Sequence, residues 1–132
     1  TFLLDEFLTG LRRDGELGLD FTSTPRNILI HGHCHQKALV GSGSCVEVMN
    51  MPPGFRAQEI NAGCCGMAGS FGYEKEHYDL SMRIGEDRLF PAVRSAPADT
   101  EIAATGTSCR HQIADATGRA PRHWAEILVE AL

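Results

Sequence analysis

Asn27-Ile28-Leu29-Ile30-His31-Gly32-His33-Cys34-His35 is the stretch on which the reading of this chain turns. The apolar run after Pro25 reads as a short buried strand. Gly32 ends it, and His33, Cys34 and His35 follow at once. Residues 36–49 then show a helical pattern, weakened by Gly41 and Gly43 and stopped by Pro52-Pro53-Gly54.

The same unit recurs downstream. Residues 55–60 read as a strand, Asn61-Ala62-Gly63 opens a loop, and the loop carries Cys64-Cys65-Gly66. A long helix is expected over 74–95, with Tyr78, Met82, Leu89 and Val93 on or near one face, closed by Pro97. A third strand follows at 101–104, then the loop Thr105-Gly106-Thr107-Ser108, with Cys109 starting a helix that Gly118 ends. A fourth strand over 119–123 and a last helix over 125–132 complete the chain. Ahead of all this, Leu4, Phe7, Leu8 and Leu11 mark an amphipathic helix over 2–13.

Strands alternating with helices imply parallel neighbours, because parallel pairing needs a crossover. The expectation is an α/β fold: a small, open, mainly parallel sheet of about four strands with flanking helices. Cys34, Cys64-Cys65 and Cys109 each fall just after a strand and just before a helix. In an open sheet such positions share the edge at the carboxyl ends of the strands, where ligands bind.

Composition frames what that edge can do. At 132 residues the chain is expected to form one domain, 1–132, with an ordinary globular composition. Its formal charge of -5 and scattered basic residues argue against a nucleic-acid surface. No apolar run reaches the roughly 20 residues needed to span a bilayer. The opening TFLLDEFLTGLRRDG is too charged for a signal peptide, and the missing initiator Met suggests a fragment of a longer polypeptide. Five cysteines, an odd number, point to metal binding or redox chemistry rather than to a disulfide framework.

Thiolates at helix starts are stabilised by unsatisfied N–H groups and select zinc, copper(I) or iron–sulfur clusters. Four cysteines would fill one zinc site, but adjacent Cys64 and Cys65 suit a cluster offering separate irons better. Cys45, inside a helix, reads as a core residue. His33, His35 and His111 read as neighbours of the centre, tuning it or moving protons. His77 reads as a surface residue and His31 as structural. The glycines of Gly66-Met67-Ala68-Gly69-Ser70-Phe71-Gly72 let backbone approach the centre and supply N–H groups; they match neither dinucleotide nor P-loop fingerprints. A metal-free thiol site remains open on these grounds.

Three segments carry a resemblance: His31-Gly32-His33-Cys34-His35-Gln36-Lys37-Ala38, Ala62-Gly63-Cys64-Cys65-Gly66-Met67-Ala68-Gly69 and Gly106-Thr107-Ser108-Cys109-Arg110-His111-Gln112-Ile113. They resemble the cysteine-rich CCG domain family, best known from heterodisulfide reductase, and look most like the C-terminal domain of FAD-linked oxidases. That resemblance implies an electron-transfer module of an FAD-linked D-lactate or D-2-hydroxyglutarate dehydrogenase type. It implies Cys34, Cys64, Cys65 and Cys109 as ligands of an iron–sulfur cluster of the 4Fe–4S kind, with zinc as the alternative. Beside them it sets His33, His35, Gly66, Arg110 and His111, with Arg110 facing an anionic partner or substrate. FAD would belong to the parent protein, whose FAD-binding and ferredoxin-like domains would be partners, with a quinone or another carrier as acceptor. The implied location is cytoplasmic, or peripheral at the inner face of the membrane. The family's motif ends in Cys-x-x-Cys; here Gln112 takes the last position. Cys65 and Cys109 are also separated by 43 residues, a longer gap than the family's.

Overall fold

The computed structural model describes residues 3–33, 43–60, 64–67 and 71–132. Cys34, His35 and the first half of the helix expected over 36–49 lie outside them. Three strands form one parallel sheet: β1 Arg26–His31, β2 Phe55–Glu59 and β3 Glu101–Ala104, in the order β2-β1-β3. Six α-helices are described: α1 Leu4–Arg13, α2 Gly43–Met49, α3 Tyr78–Asp87, α4 Leu89–Ser95, α5 Thr107–Thr117 and α6 Trp124–Val129. The fold class is therefore the open parallel α/β arrangement read from the sequence.

Strand pleating divides the core in two. Ile28 and Ile30 of β1 point to one face, where they meet Val48 and Met49 of α2 and Trp124 and Ile127 of α6. Leu29 points the other way, towards Leu89, Phe90 and Val93 of α4 and Ile113 of α5. By the same alternation His31 shares Leu29's face. β1 thus lies between its two parallel partners with helices on both sides. The chain passes from β1 to β2 over one face and from β2 to β3 over the other, which leaves a crevice at the carboxyl ends of β1 and β3.

Two proline effects separate the structure from the sequence reading. The long helix expected over 74–95 is one short 3-10 turn, Lys75–His77, followed by α3 and α4 with a break at Arg88 (φ −140°, ψ −38°); a second 3-10 turn, Phe71–Tyr73, comes just before it. Pro91 has no N–H to give the Asp87 carbonyl four residues back, and its ring crowds that carbonyl, so α3 stops there. Leu89 and Val93 are core residues as expected, while Tyr78 is exposed. The fourth strand contracts to a single parallel bridge, Ala103 to Arg122, with Arg122 N–H on Ile102 O and Ala104 N–H on Arg122 O, both 3.0 Å. Pro121 lacks the N–H that a longer ladder needs.

α1 places its polar side inward. Asp5 and Thr9 are buried while Leu4 and Phe7 are exposed. Asp5 accepts a hydrogen bond from Ser44 Oγ at 3.1 Å, and Arg13 pairs with Glu47 at 2.7 Å, both on α2. Among the described residues no helix is long and apolar enough to cross a membrane.

Candidate metal centre

Three elements meet at the crevice. β1 ends at His31, β3 runs into the loop before α5, and the segment after β2 returns with Cys64-Cys65-Gly66-Met67. Thr105 stitches the first two: its hydroxyl accepts from His33 N–H at 2.9 Å, and its N–H reaches His31 O at 3.4 Å. Gly106 is needed there, because a Cβ would run into the His33 ring and lie 3.2 Å from Cys109 Sγ. His33 is thereby held beside Cys109.

Cys65 and Cys109 are 2 % and 1 % exposed, and the Cys65 thiol donates to Cys109 Sγ at 3.3 Å. His31 is 0 % exposed, and neither ring nitrogen makes a hydrogen bond of ordinary geometry among the described residues, although the imidazole stands close enough to Cys65 to act on its thiol. One ligand atom from each of His31, Cys65 and Cys109 lies within 4.8 Å of the other two. The Cys65 thiol is pushed up to about 12 by its bond to Cys109 and by burial; the His31 imidazole and the Met67 N–H pull it down. Bringing a cation to this point would reverse that balance, since a coordinating thiol is deprotonated outright.

The Cys64-Cys65 turn is clamped from behind. Gly66 has φ +96°, and a Cβ on it would collide with the Ser81 carbonyl of α3. Gln112 is buried; its Nε2 donates to Ser81 Oγ at 2.7 Å and to Cys65 O at 3.3 Å. Cys64 is only half-buried, and its Sγ accepts from Gly66 N–H at 3.2 Å. It stands outside the close group of His31, Cys65 and Cys109.

The remaining candidates fall away from this point. Arg110 donates to Ala104 O at 2.9 Å, Thr105 O at 3.2 Å and Thr107 Oγ1 at 3.1 Å, bracing the end of β3. His111 is exposed and meets the Tyr73 hydroxyl at 2.7 Å through Nδ1, as expected for a residue some 200° around the helix from Cys109. His77 pairs with Glu74 at 3.3 Å near the surface. His123 caps α6, its Nδ1 accepting from Ala125 N–H at 3.2 Å. Cys45 is fully buried in the other half of the core, its thiol pushed up to about 12 by burial and by Asp5 and Glu59. The sequence reading missed His31 as a member of the group and Gln112 as the clamp. The period of two along β1 was the available signal for His31.

No family model and no solved structure matches the chain. It is similar to one subunit of the anaerobic glycerol-3-phosphate dehydrogenase of Escherichia coli K12, 30% identical over 108 residues, covering 82% of this chain and 27% of that protein. It is also similar to D-2-hydroxyglutarate dehydrogenase of the same strain, 32% identical over 102 residues, covering 76% of this chain and 10% of that protein. The Pseudomonas putida enzyme of that name is 29% identical over 109 residues, covering 82% of this chain and 10% of the relative. The chain thus spans about a quarter of the length of the first relative and a tenth of the others.

Proposed function

We propose that residues 1–132 form one cysteine-rich domain of a larger dehydrogenase, and that it holds an iron–sulfur centre through which electrons pass. The observation that carries this reading is the dry meeting of Cys65 and Cys109, 3.3 Å apart, beside the buried His31 imidazole. Soft donors drawn from separate loops to one buried point are what an iron–sulfur or zinc centre requires. The names of the similar proteins support a role in oxidising glycerol 3-phosphate or a 2-hydroxy acid.

In this reading Cys34, Cys64, Cys65 and Cys109 hold a cluster of the 4Fe–4S kind, with His33 and His35 beside it. Such a group supplies one-electron transfer, at a potential set by its charge, its hydrogen bonds and its exposure. The chain's own residues exclude water around Cys65 and Cys109, and the Gly66 N–H donates a hydrogen bond to the Cys64 sulfur. FAD-binding and ferredoxin-like domains are its partners, with a quinone or another carrier beyond them. The domain works in the cytoplasm or against the inner face of the membrane.

One observation favours a single zinc ion as a second reading. Two cysteines on one tetrahedral ion at 2.3 Å stand about 3.8 Å apart, close to the spacing seen. Metal and sulfide analysis of anaerobically purified protein separates the two. Iron and sulfide in equal amounts, with a visible band that bleaches on reduction, supports the electron-transfer role. Colourless protein with stoichiometric zinc overturns it. In either case Cys65→Ser should lose the metal and Cys45→Ser should keep it.

A further inference from the structure

We infer that His31 is a direct ligand of the metal centre through one imidazole nitrogen. The inference rests on the metal-binding reading above and deepens it, since nothing in the sequence motifs assigns His31 a part.

The strand pleat fixes the side of β1 from which His31 projects, and that side faces Cys65 and Cys109. β1 pairs with β3 in a register that sets His31 opposite Ala104, one residue before the loop leading to Cys109. The ring is fully buried and neither nitrogen makes a hydrogen bond of ordinary geometry among the described residues; its polar neighbour is the Cys65 thiol, which it pulls towards ionisation. Buried polar groups in native proteins are nearly always satisfied, and an exception needs an explanation such as a missing ion. A ring nitrogen here lies within 4.8 Å of both sulfurs. An ion bound at about 2.0–2.1 Å from nitrogen and 2.3 Å from sulfur would hold such atoms some 3.6 Å apart. Drawing the imidazole in while the two sulfurs part by about 0.5 Å would therefore let one cation meet all three residues.

The donor set names the class of ligand. Two thiolates and an imidazole suit zinc or iron and disfavour magnesium and calcium, which take oxygen. If the ion is an iron, His31 takes the place that the four-cysteine reading gives to Cys64, which stands outside the close group, and a neutral imidazole in place of a thiolate leaves the centre less negative. Histidine ligation in two-iron clusters raises the reduction potential in the same way.

The test uses the whole chain, purified anaerobically with its metal and labelled with 15N-histidine. Pulsed electron paramagnetic resonance is recorded on the reduced centre, or on cobalt(II) introduced in place of zinc. A strong nitrogen coupling that His31→Ala removes is the expected result. In parallel, cobalt(II) should bind the metal-free His31→Ala protein at least 10-fold more weakly than the unaltered protein. The label reads the unaltered protein, so the inference stays falsifiable even where His31→Ala fails to fold. Metal that depends on Cys65 but shows no strong nitrogen coupling overturns the inference and leaves the metal reading standing, with His31 only a hydrogen-bond donor to sulfur. A coupling that survives in His31→Ala overturns it too, because it belongs to another histidine. Protein that never retains metal overturns both.

Discussion

At the amino end of the sheet, Arg26, Glu101, Arg122 and Glu130 form a half-exposed lattice of ion pairs. Arg26 reaches Glu130 at 2.6 Å, while Arg122 reaches Glu130 at 2.7 Å and Glu101 at 3.2 Å. At the carboxyl end, His31, Cys65 and Cys109 are shut away from water, and the imidazole makes no hydrogen bond of ordinary geometry among the described residues. One end has paired these four charges in a medium where pairing gains little. The other has left polarity unmet where that costs most. A stability device and a binding device are told apart by that contrast: the first is complete as it stands, the second is complete only with something added.

Gly66→Ala should break the carboxyl end most severely. Its Cβ would strike the Ser81 carbonyl from a backbone at φ +96°, so Cys65 could not stay where it is. A loss of more than about 3 kcal/mol in urea unfolding is expected, since strain and a backbone clash act together. Unchanged stability would show that the turn can rearrange freely.

Gln112→Ala should be milder. It removes the donor shared by Ser81 Oγ and Cys65 O, both in a buried setting. About 1–3 kcal/mol is expected from leaving those acceptors unmet. Cys65 would also become more accessible, which the rate of thiol labelling would report. Labelling no faster than in the unaltered protein would deny Gln112 its clamping role.

Glu130→Gln at the amino end should have the smallest effect, a slight fall in Tm that shrinks in molar salt. Its pH signature has a definite sign. Arg122 and Arg26 hold the Glu130 carboxyl at about 2, below the ordinary 4.5. The stabilisation it brings is fully present above pH 4.5 and is lost as pH falls towards 2. The variant should therefore show a flatter decline over that window while its metal content is unchanged. Altered metal content would mean that the two ends are coupled.

Much of this contrast could be read ahead of the structure, and the exceptions have causes. The loops bearing Cys65 and Cys109 had to meet because strand–helix alternation forces parallel pairing and so gathers the carboxyl ends on one edge. Pro91 and Pro121 were visible, but each acts through one missing N–H, a local effect that a pattern of apolar spacing does not register. Gln112 looked like a gap in a cysteine motif, and only tertiary contacts reveal that its amide joins Ser81 to Cys65. His31 looked like the end of an apolar run; its orientation depends on which face of β1 the later helices cover. The inward turn of Asp5 on α1 likewise waits on Ser44, 39 positions away.

The placement of β1 between its two parallel partners bears on how the chain folds. Cys65 and Cys109 are 44 positions apart, and His31 lies on the strand that both neighbouring strands must find. The group cannot assemble until both long-range pairings have formed, and such pairings are the slow steps of folding. An ion bridging the three would also close long loops, whose ends are costly to bring together in the unfolded chain. Its colour or luminescence would then act as a clock that starts only when the last strand has docked.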